Sequence, residues 1–442
     1  MRFVIAFGGL GVLLLAGLLL RTWVGPLRKL LLPVSVIGGF VGLAIGPYSA
    51  DWVSPEVMEV WASLPGVLIN FVFACLFLGV VLPSGREFVH LGGPLLRFSA
   101  ITSLGQYAVG LLLTWVLLEP VFGTSELFAC VLEVGFAGGH GTAAAMGPVF
   151  DELGFEAGAA LGQMSATVGI VVAVVSGIAL IHWGMARGHT TEIAGAAGGL
   201  QLEDAQAFVA EDQRRPNAYE TVRPAAIDTL TLHVAITGVA VLLGWIMLTG
   251  LRATHDSLSG FPLFPLAMVG GMLVQFVARR TGTVVYFDRS TFQRIMGLSL
   301  DLLIVAAIAS LRLDLFLQNL IPFSLLMLAG ILWVVVAFVF IAPRLMERHW
   351  FEQTITAYGS STGVTAIGLM LMRIVDPENR TPAAEAFAAS RIVVSPIFGG
   401  GLLTASVPLL MAGFGLPAMF GATTVAGLAF YFWPRFRSEA AQ

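Results

Sequence analysis

Gly138-Gly139-His140-Gly141-Thr142 and Gly359-Ser360-Ser361-Thr362-Gly363 sit at matching places in the two halves of a very apolar chain. Each follows an apolar stretch too short and too broken for an ordinary membrane span. Glycine exposes backbone polar groups and permits close approach, so such a segment persists at bilayer depth only where protein or water surrounds it. In a duplicated membrane protein, a pair of glycine-interrupted segments at corresponding positions points to the binding site of a secondary transporter.

The surrounding chain supports a membrane setting. It has 442 residues, 57% of them hydrophobic and 11% charged, with a mean hydropathy of +0.88. Soluble domains carry about 25% charged residues, so the chain belongs in lipid. Its 51 glycines and 21 prolines fit packed, interrupted transmembrane helices. Cys75 and Cys130 lie in apolar surroundings and predict no disulfide framework or metal site. The first apolar run, Phe3 to Leu20, leads straight into Arg21, Arg28 and Lys29 without a convincing cleavage site, and reads as a retained span.

Apolar stretches long enough to cross about 30 Å of hydrocarbon fall near 3–21, 30–48, 65–83, 96–118 and 158–183. They resume near 229–250, 262–278, 296–312, 322–342, 384–410 and 415–433. The glycine segments, 126–150 and 351–374, lie between the fourth and fifth and between the ninth and tenth of these. The positive-inside rule tests sidedness. With the N-terminus outside and both glycine segments returning to the face they left, 19 of the 23 basic residues fall inside, from Arg21 to Arg437. Arg2, Arg252 and Arg312 fall outside, and Arg391 falls within a span. Letting either glycine segment cross fully destroys this asymmetry.

The halves align. Val36-Ile37-Gly38-Gly39 resembles Met268-Val269-Gly270-Gly271, and Asn70 and Asp301 occupy equivalent points of the third span in each half. Gly138 and Gly147 correspond to Gly359 and Gly368, and Ile170-Val171-Val172 matches Ile392-Val393-Val394. An odd number of spans per unit gives the two units opposite orientation, an inverted-topology repeat. The expected fold is an all-α polytopic membrane protein of about 11 spans: two inverted repeats of five helices, each with a re-entrant hairpin, plus one extra C-terminal helix. The expected organisation is an N-terminal membrane repeat over 1–185, a cytoplasmic linker over 186–228, a C-terminal inverted repeat over 229–411, and an extra span with tail over 412–442. The linker is acidic and polar, with one candidate helix from Gln201 to Gln213, and reads as a solvated tether.

The run Gly135-Phe136-Ala137-Gly138-Gly139-His140-Gly141-Thr142-Ala143 resembles the first re-entrant loop of the sodium/glutamate symporter family. Resemblance covers most of 1–411. The second segment, Tyr358 to Thr365, is similar to its family counterpart in place and composition rather than in letters, and Arg391 departs from the family pattern. The resemblance implies Na+-coupled symport of a small anionic amino acid such as glutamate. It also implies an elevator-type movement of a hairpin-bearing core against a scaffold, a homodimer, and a bacterial inner membrane with the N-terminus outside and the C-terminus cytoplasmic. Membrane lipid is the expected surrounding partner; no nucleic-acid partner is expected.

On physical grounds the hairpin tips carry the candidate site. Unwound carbonyls can coordinate a cation and helix N-termini can face an anion. Gly138, Gly139, Gly141 and Gly363 supply the backbone, and Thr142, Ser360, Ser361, Thr362 and Thr365 supply hydroxyls. Tight helix crossing is the alternative use of these glycines. His140 either contacts a substrate carboxylate or relays a proton, or simply hydrogen-bonds its own hairpin. Intramembrane charges are costly and point to function. Asp301, with Asn70 as its symmetry mate, is the candidate Na+ ligand, by analogy with other hard cations that take oxygen ligands; the alternative is a structural helix tie. Arg391 either binds a carboxylate in a bidentate fork, or snorkels or pairs with Glu385. Glu133, Gln163 and Glu385 are weaker candidates.

No HExxH, GxSxG, Walker A or GxGxxG pattern occurs in a suitable context, so no enzyme is expected. Two alternatives remain at this stage: Na+- or H+-coupled transport of a dicarboxylate or another organic anion, and a passive channel. Channels line a continuous pore, often with rings of like residues, whereas each hairpin here occurs once.

Overall fold

A computed structural model describes residues 1–29, 32–80, 85–190, 218–254, 261–346, 348–376 and 380–433. The candidate linker helix from Gln201 to Gln213 lies outside them. Among the described residues all regular structure is helical. Eight helical stretches are long and apolar enough to cross a membrane, and Val34–Ile45 is a shorter apolar helix.

The chain folds as two compact units. The first comprises Met1–Leu82, Ala144–Glu152 and Ala205–Leu311. Its main helices are α1 (Arg2–Trp23), α2 (Val34–Ile45) and α3 (Pro55–Ala74) from the first half of the sequence. From the second half come α8 (Thr229–Arg252), α9 (Phe264–Thr281) and α10 (Arg289–Ala309). Helices α8 and α10 each start on an aspartate N-cap: Asp228 Oδ1 accepts from Thr231 N at 3.1 Å and Asp288 Oδ2 from Thr291 N at 2.8 Å. The paired Val-Ile-Gly-Gly and Met-Val-Gly-Gly motifs do parallel work here. A Cβ on Gly38 would lie 2.5 Å from the Leu13 carbonyl of α1, and one on Gly270 would lie 2.1 Å from the Ala240 carbonyl of α8. Their neighbours reach across to the other half: Gly39 presses on Ile308 of α10, and Gly271 on the Ala74 carbonyl of α3.

The second unit comprises Pro83–Ala143, Leu153–Asp204 and Arg312–Gln442. Its helices are α4 (Gly85–Leu113), α5 (Val131–Phe136), α6 (Gly139–Ala145, of which the last two residues count with the first unit), α7 (Gly158–Arg187), α11 (Leu320–Val336), α12 (Trp350–Thr362), α13 (Thr365–Val375), α14 (Ala383–Ile397) and α15 (Leu402–Phe432). Helices α4 and α11 each widen into a π-helical turn, at Thr114–Leu118 and Ala337–Ile341, two residues before Pro120 and Pro343. Proline lacks an N–H and its ring crowds the carbonyl four residues back. The turn ahead of it therefore loosens, and the Glu119 and Ala342 amides reach five residues back, to Thr114 O and Ala337 O.

One reading of the sequence is corrected. The stretch 384–410 was expected as a continuous span, but the chain breaks between α14 and α15, where Gly399 and Gly400 adopt φ of +61° and +99°. That left-handed backbone cannot continue a helix. Helix α15 also kinks at Gly415, φ +74°.

Candidate functional site

Both glycine segments fold as two helices separated by a break, and both breaks belong to the second unit. In the first, α5 ends where the Ala137 and Gly138 amides both donate to Glu133 O at 3.0 Å, and α6 starts at Gly139 with φ +70°. In the second, α12 ends with Gly363 N donating to Gly359 O at 2.9 Å, and Val364 runs extended before α13. Helices α12 and α13 then fold back on one another: a Cβ on Gly368 would lie 2.3 Å from the Thr356 carbonyl, and one on Gly359 2.7 Å from Gly368 Cα. The tips meet where Val364 Cγ1 lies 3.3 Å from the position of a Cβ on Gly139.

Helix α7 runs along both hairpins. Its Gly162 faces Ala143 and its Gly169 faces the Thr362 carbonyl, 2.3 Å from where a Cβ would stand. Helix α4 holds the second hairpin through Gln106 Nε2, which donates to Ser361 O at 2.8 Å.

Where these elements converge, a closed crevice of about 10 Å3, room for about one water molecule, is lined by Ser99 and Ser103 of α4, Ala137 of the first tip, and Ala357, Ser360 and Ser361 of α12. Phe387, Arg391 and Val394 of α14, with Phe398 and Gly399 of the break, close it. Arg391 is the charged residue of this lining, and among the described residues no hydrogen bond or ion pair engages its guanidinium. The Glu385 partner considered above is exposed and makes no pair with it. A half-buried cation without a counter-charge is costly, so an anion entering here gains a fork of N–H donors and nearby Ser hydroxyls.

The structure thus brings together Ser360, Ser361 and Arg391, beside the residue that precedes Gly138. The other expected residues take different places. Gly138 packs within its own hairpin, against Val134 O and Thr142. Thr142 and Gly141 are buried in α6. Gly363 lies against Ile170 and Ala173 of α7, and the Thr365 hydroxyl sits 3.4 Å from Ser360 Oγ. Thr362 is fully buried and its hydroxyl has no hydrogen-bond partner. His140 is 2% exposed and engages α7: its Nε2 is 3.0 Å from Thr167 Oγ1, and Gln163 Nε2 donates to His140 O at 2.9 Å. It is absent from the lining of the Arg391 cavity.

Asp301 and Asn70 belong to the first unit, apart in the chain's division from the hairpin tips. Asp301 is exposed on α10, while Asn70 Nδ2 donates to Gly66 O and Val67 O of its own helix. Among the described residues no group of three His, Cys, Asp or Glu side chains converges.

Sequence reading missed Ser99 and Ser103, whose i, i+4 spacing places them on one helix face, and Gly399, hidden in a run that composition alone makes look like membrane span. It also undervalued Glu133, which is wholly buried and accepts three hydrogen bonds.

The model of a family described as sodium/glutamate symporter matches residues 5–376. That range takes in both hairpins and ends before α14, so Arg391 and the Gly399 break lie beyond it. No curated protein and no solved structure matches the chain.

Proposed function

The chain belongs to the sodium/glutamate symporter family, and from that premise we propose that it is a secondary active transporter that couples Na+ entry to uptake of an anionic amino acid of the glutamate type. The observation that carries the substrate assignment is Arg391, without a partner among the described residues, beside Ser360 and Ser361 in a crevice without an acidic side chain in its lining. Glutamate bears one net negative charge, which Arg391 balances when the substrate's carboxylate occupies the fork. A cation bound nearby stabilises the same anion, because opposite charges attract strongly where water is scarce. Joint occupancy therefore favours the loaded, mobile state.

The hairpin-bearing unit is the carrier in this scheme and the other unit the scaffold of an elevator. Parallel use of Gly38-Gly39 and Gly270-Gly271, and the matched π turns before Pro120 and Pro343, support descent of both halves from one inverted five-helix unit. Charge placement supports re-entrant segments and an eleven-span course with the N-terminus outside; the family resemblance alone suggests residence in a bacterial inner membrane as a homodimer. For the ion, Asp301 with Asn70 remains the pair singled out by sequence, and the unpartnered Thr362 hydroxyl offers an oxygen within the carrier itself. Asp301→Asn separates these: Na+ dependence that survives the change assigns the ion elsewhere.

A melting screen of amino and organic acids on purified protein tests the substrate. L-glutamate is expected to raise the unfolding temperature only when Na+ is present, by up to about 2.7 kcal/mol of stabilisation at a hundredfold excess over Kd, and Arg391→Gln is expected to lose that response. Stabilisation by a dicarboxylate in place of glutamate reassigns the cargo; no response to any acid removes the proposal.

A further inference from the structure

Glu133 lies in the first turn of α5, ahead of the first tip, and is completely buried. Three donors converge on it, from α4, from the break after α14 and from α15. Tyr107 of α4 donates its hydroxyl to Oε2 at 2.7 Å. Gly399 N–H donates to Oε1 at 2.9 Å, and the Thr404 hydroxyl donates to the same oxygen at 3.2 Å. Thr404 Oγ1 in turn accepts from Gly400 N–H at 3.1 Å, which directs its own proton toward Glu133.

The consequence falls on the break between α14 and α15. Positive φ at Gly399 and Gly400 takes their amides out of the helical ladder, and a buried amide left unpaired bears its full desolvation penalty. Glu133 takes one of these amides directly and the other through Thr404. The break therefore keeps its shape because an acid in a distant hairpin caps it. That shape matters locally: Phe398 and Gly399 form one wall of the Arg391 cavity, and a Cβ on Gly399 would stand 2.8 Å from the Ala137 carbonyl of the first tip.

We propose that Glu133 is a positioning residue for the transport site: it locks the Gly399–Gly400 break to the first hairpin, so that the cavity wall and the hairpin tip are set together. This rests on the reading of the Arg391 cavity as the substrate site. Gln at 133 keeps the length and one oxygen for Gly399 and Thr404, with its amide turned to Tyr107. Ala removes the cap, and Asp falls short by a methylene.

The test compares Glu133→Ala, Glu133→Asp, Glu133→Gln and Tyr107→Phe in reconstituted full-length protein. It reads Na+-driven glutamate uptake, normalised to folded protein, alongside amide hydrogen exchange over 398–404. Expected for Glu133→Ala is a KM raised about tenfold or more, a maximal rate within about twofold, and exchange at 399–400 faster by about tenfold or more, as loss of a buried cap implies. Glu133→Gln is expected to restore both, and Tyr107→Phe to shift them least. Should Glu133→Ala fail to fold, Glu133→Asp carries the comparison. Unchanged exchange in these variants overturns the proposal, as does faster exchange with an unchanged KM, or a Gln variant as impaired as Ala. Arg391→Gln runs beside them: if its KM is normal, the cavity assignment has failed, while the exchange result still reports whether Glu133 caps the break.

Discussion

Arg391 is costly where it stands, since nothing among the described residues neutralises it. A charge-assisted, bidentate contact is worth about 1.5–3 kcal/mol. Arg391→Gln is therefore expected to raise the KM for glutamate by roughly 10–100-fold in uptake assays. Arg391→Lys is expected to recover only part of this, because a point charge does not reproduce the planar fork. A KM unchanged in both variants removes Arg391 from the site.

A second residue-scale expectation concerns acid stability outside the spans. Burial alone would push the Asp376 carboxyl up, but hydrogen bonds from Thr381 Oγ1 at 2.6 Å, Thr381 N at 2.9 Å and Arg380 N at 2.8 Å, with the His349 charge, hold it below the usual range. A depressed folded pKa stabilises the protein above the unfolded carboxylate value of about 3.9 and ceases to do so as pH falls through the folded value. The melting-temperature gap between wild type and Asp376→Asn is expected to be full above about pH 5 and to close below pH 4. A gap that stays constant down to pH 3 contradicts this. Arg391 was legible in sequence because a charge in an apolar run stands out. The role of Glu133 was not, because its donors lie 26, 266 and 271 residues away.

Among the elements, the second glycine segment depends on backbone contact rather than side-chain interlock. At Gly368 a methyl group would stand 2.3 Å from the Thr356 carbonyl, so α12 and α13 must separate to admit it. Gly368→Ala is expected to destabilise by about 1–3 kcal/mol, the usual cost of overpacking, seen as a lowered melting temperature in detergent. Gly66→Ala, at a glycine where a Cβ meets nothing within 4 Å, is the control and is expected to melt within a degree or two of wild type. Equal losses in the two variants would show that the hairpin contact is not special. Both glycine segments were readable from sequence because they recur at one offset in each half. The break at Gly399 has no counterpart in α7, which runs unbroken through Gly158–Arg187, so alignment of the halves could not disclose it. The π turns were hidden for another reason: Pro120 and Pro343 announce a disturbance, but not whether the helix kinks or widens.

At the scale of the whole molecule, the division of helices is what sequence could not supply. Contacts such as Gly39 with Ile308 link residues from the two halves of the chain, and no periodicity encodes them. The sidedness could be read, because charge records it. It yields a direct expectation for single cysteines, given that the native thiols of Cys75 and Cys130 are buried. Ser125→Cys and Glu156→Cys, flanking the first hairpin, should both react with an impermeant maleimide from outside in intact cells. Arg348→Cys and Arg380→Cys, flanking the second, should react only after permeabilisation. Flanks of one hairpin reached from opposite faces would make that segment a full crossing.

Energy coupling is the claim on which the transport assignment depends, and proteoliposomes measure it. With an inward Na+ gradient and the membrane potential clamped, the purified protein is expected to concentrate labelled L-glutamate above the outside level, and to release it when an ionophore collapses the gradient. Mere equilibration of the label, or accumulation indifferent to replacing Na+ with K+, would contradict Na+-coupled symport.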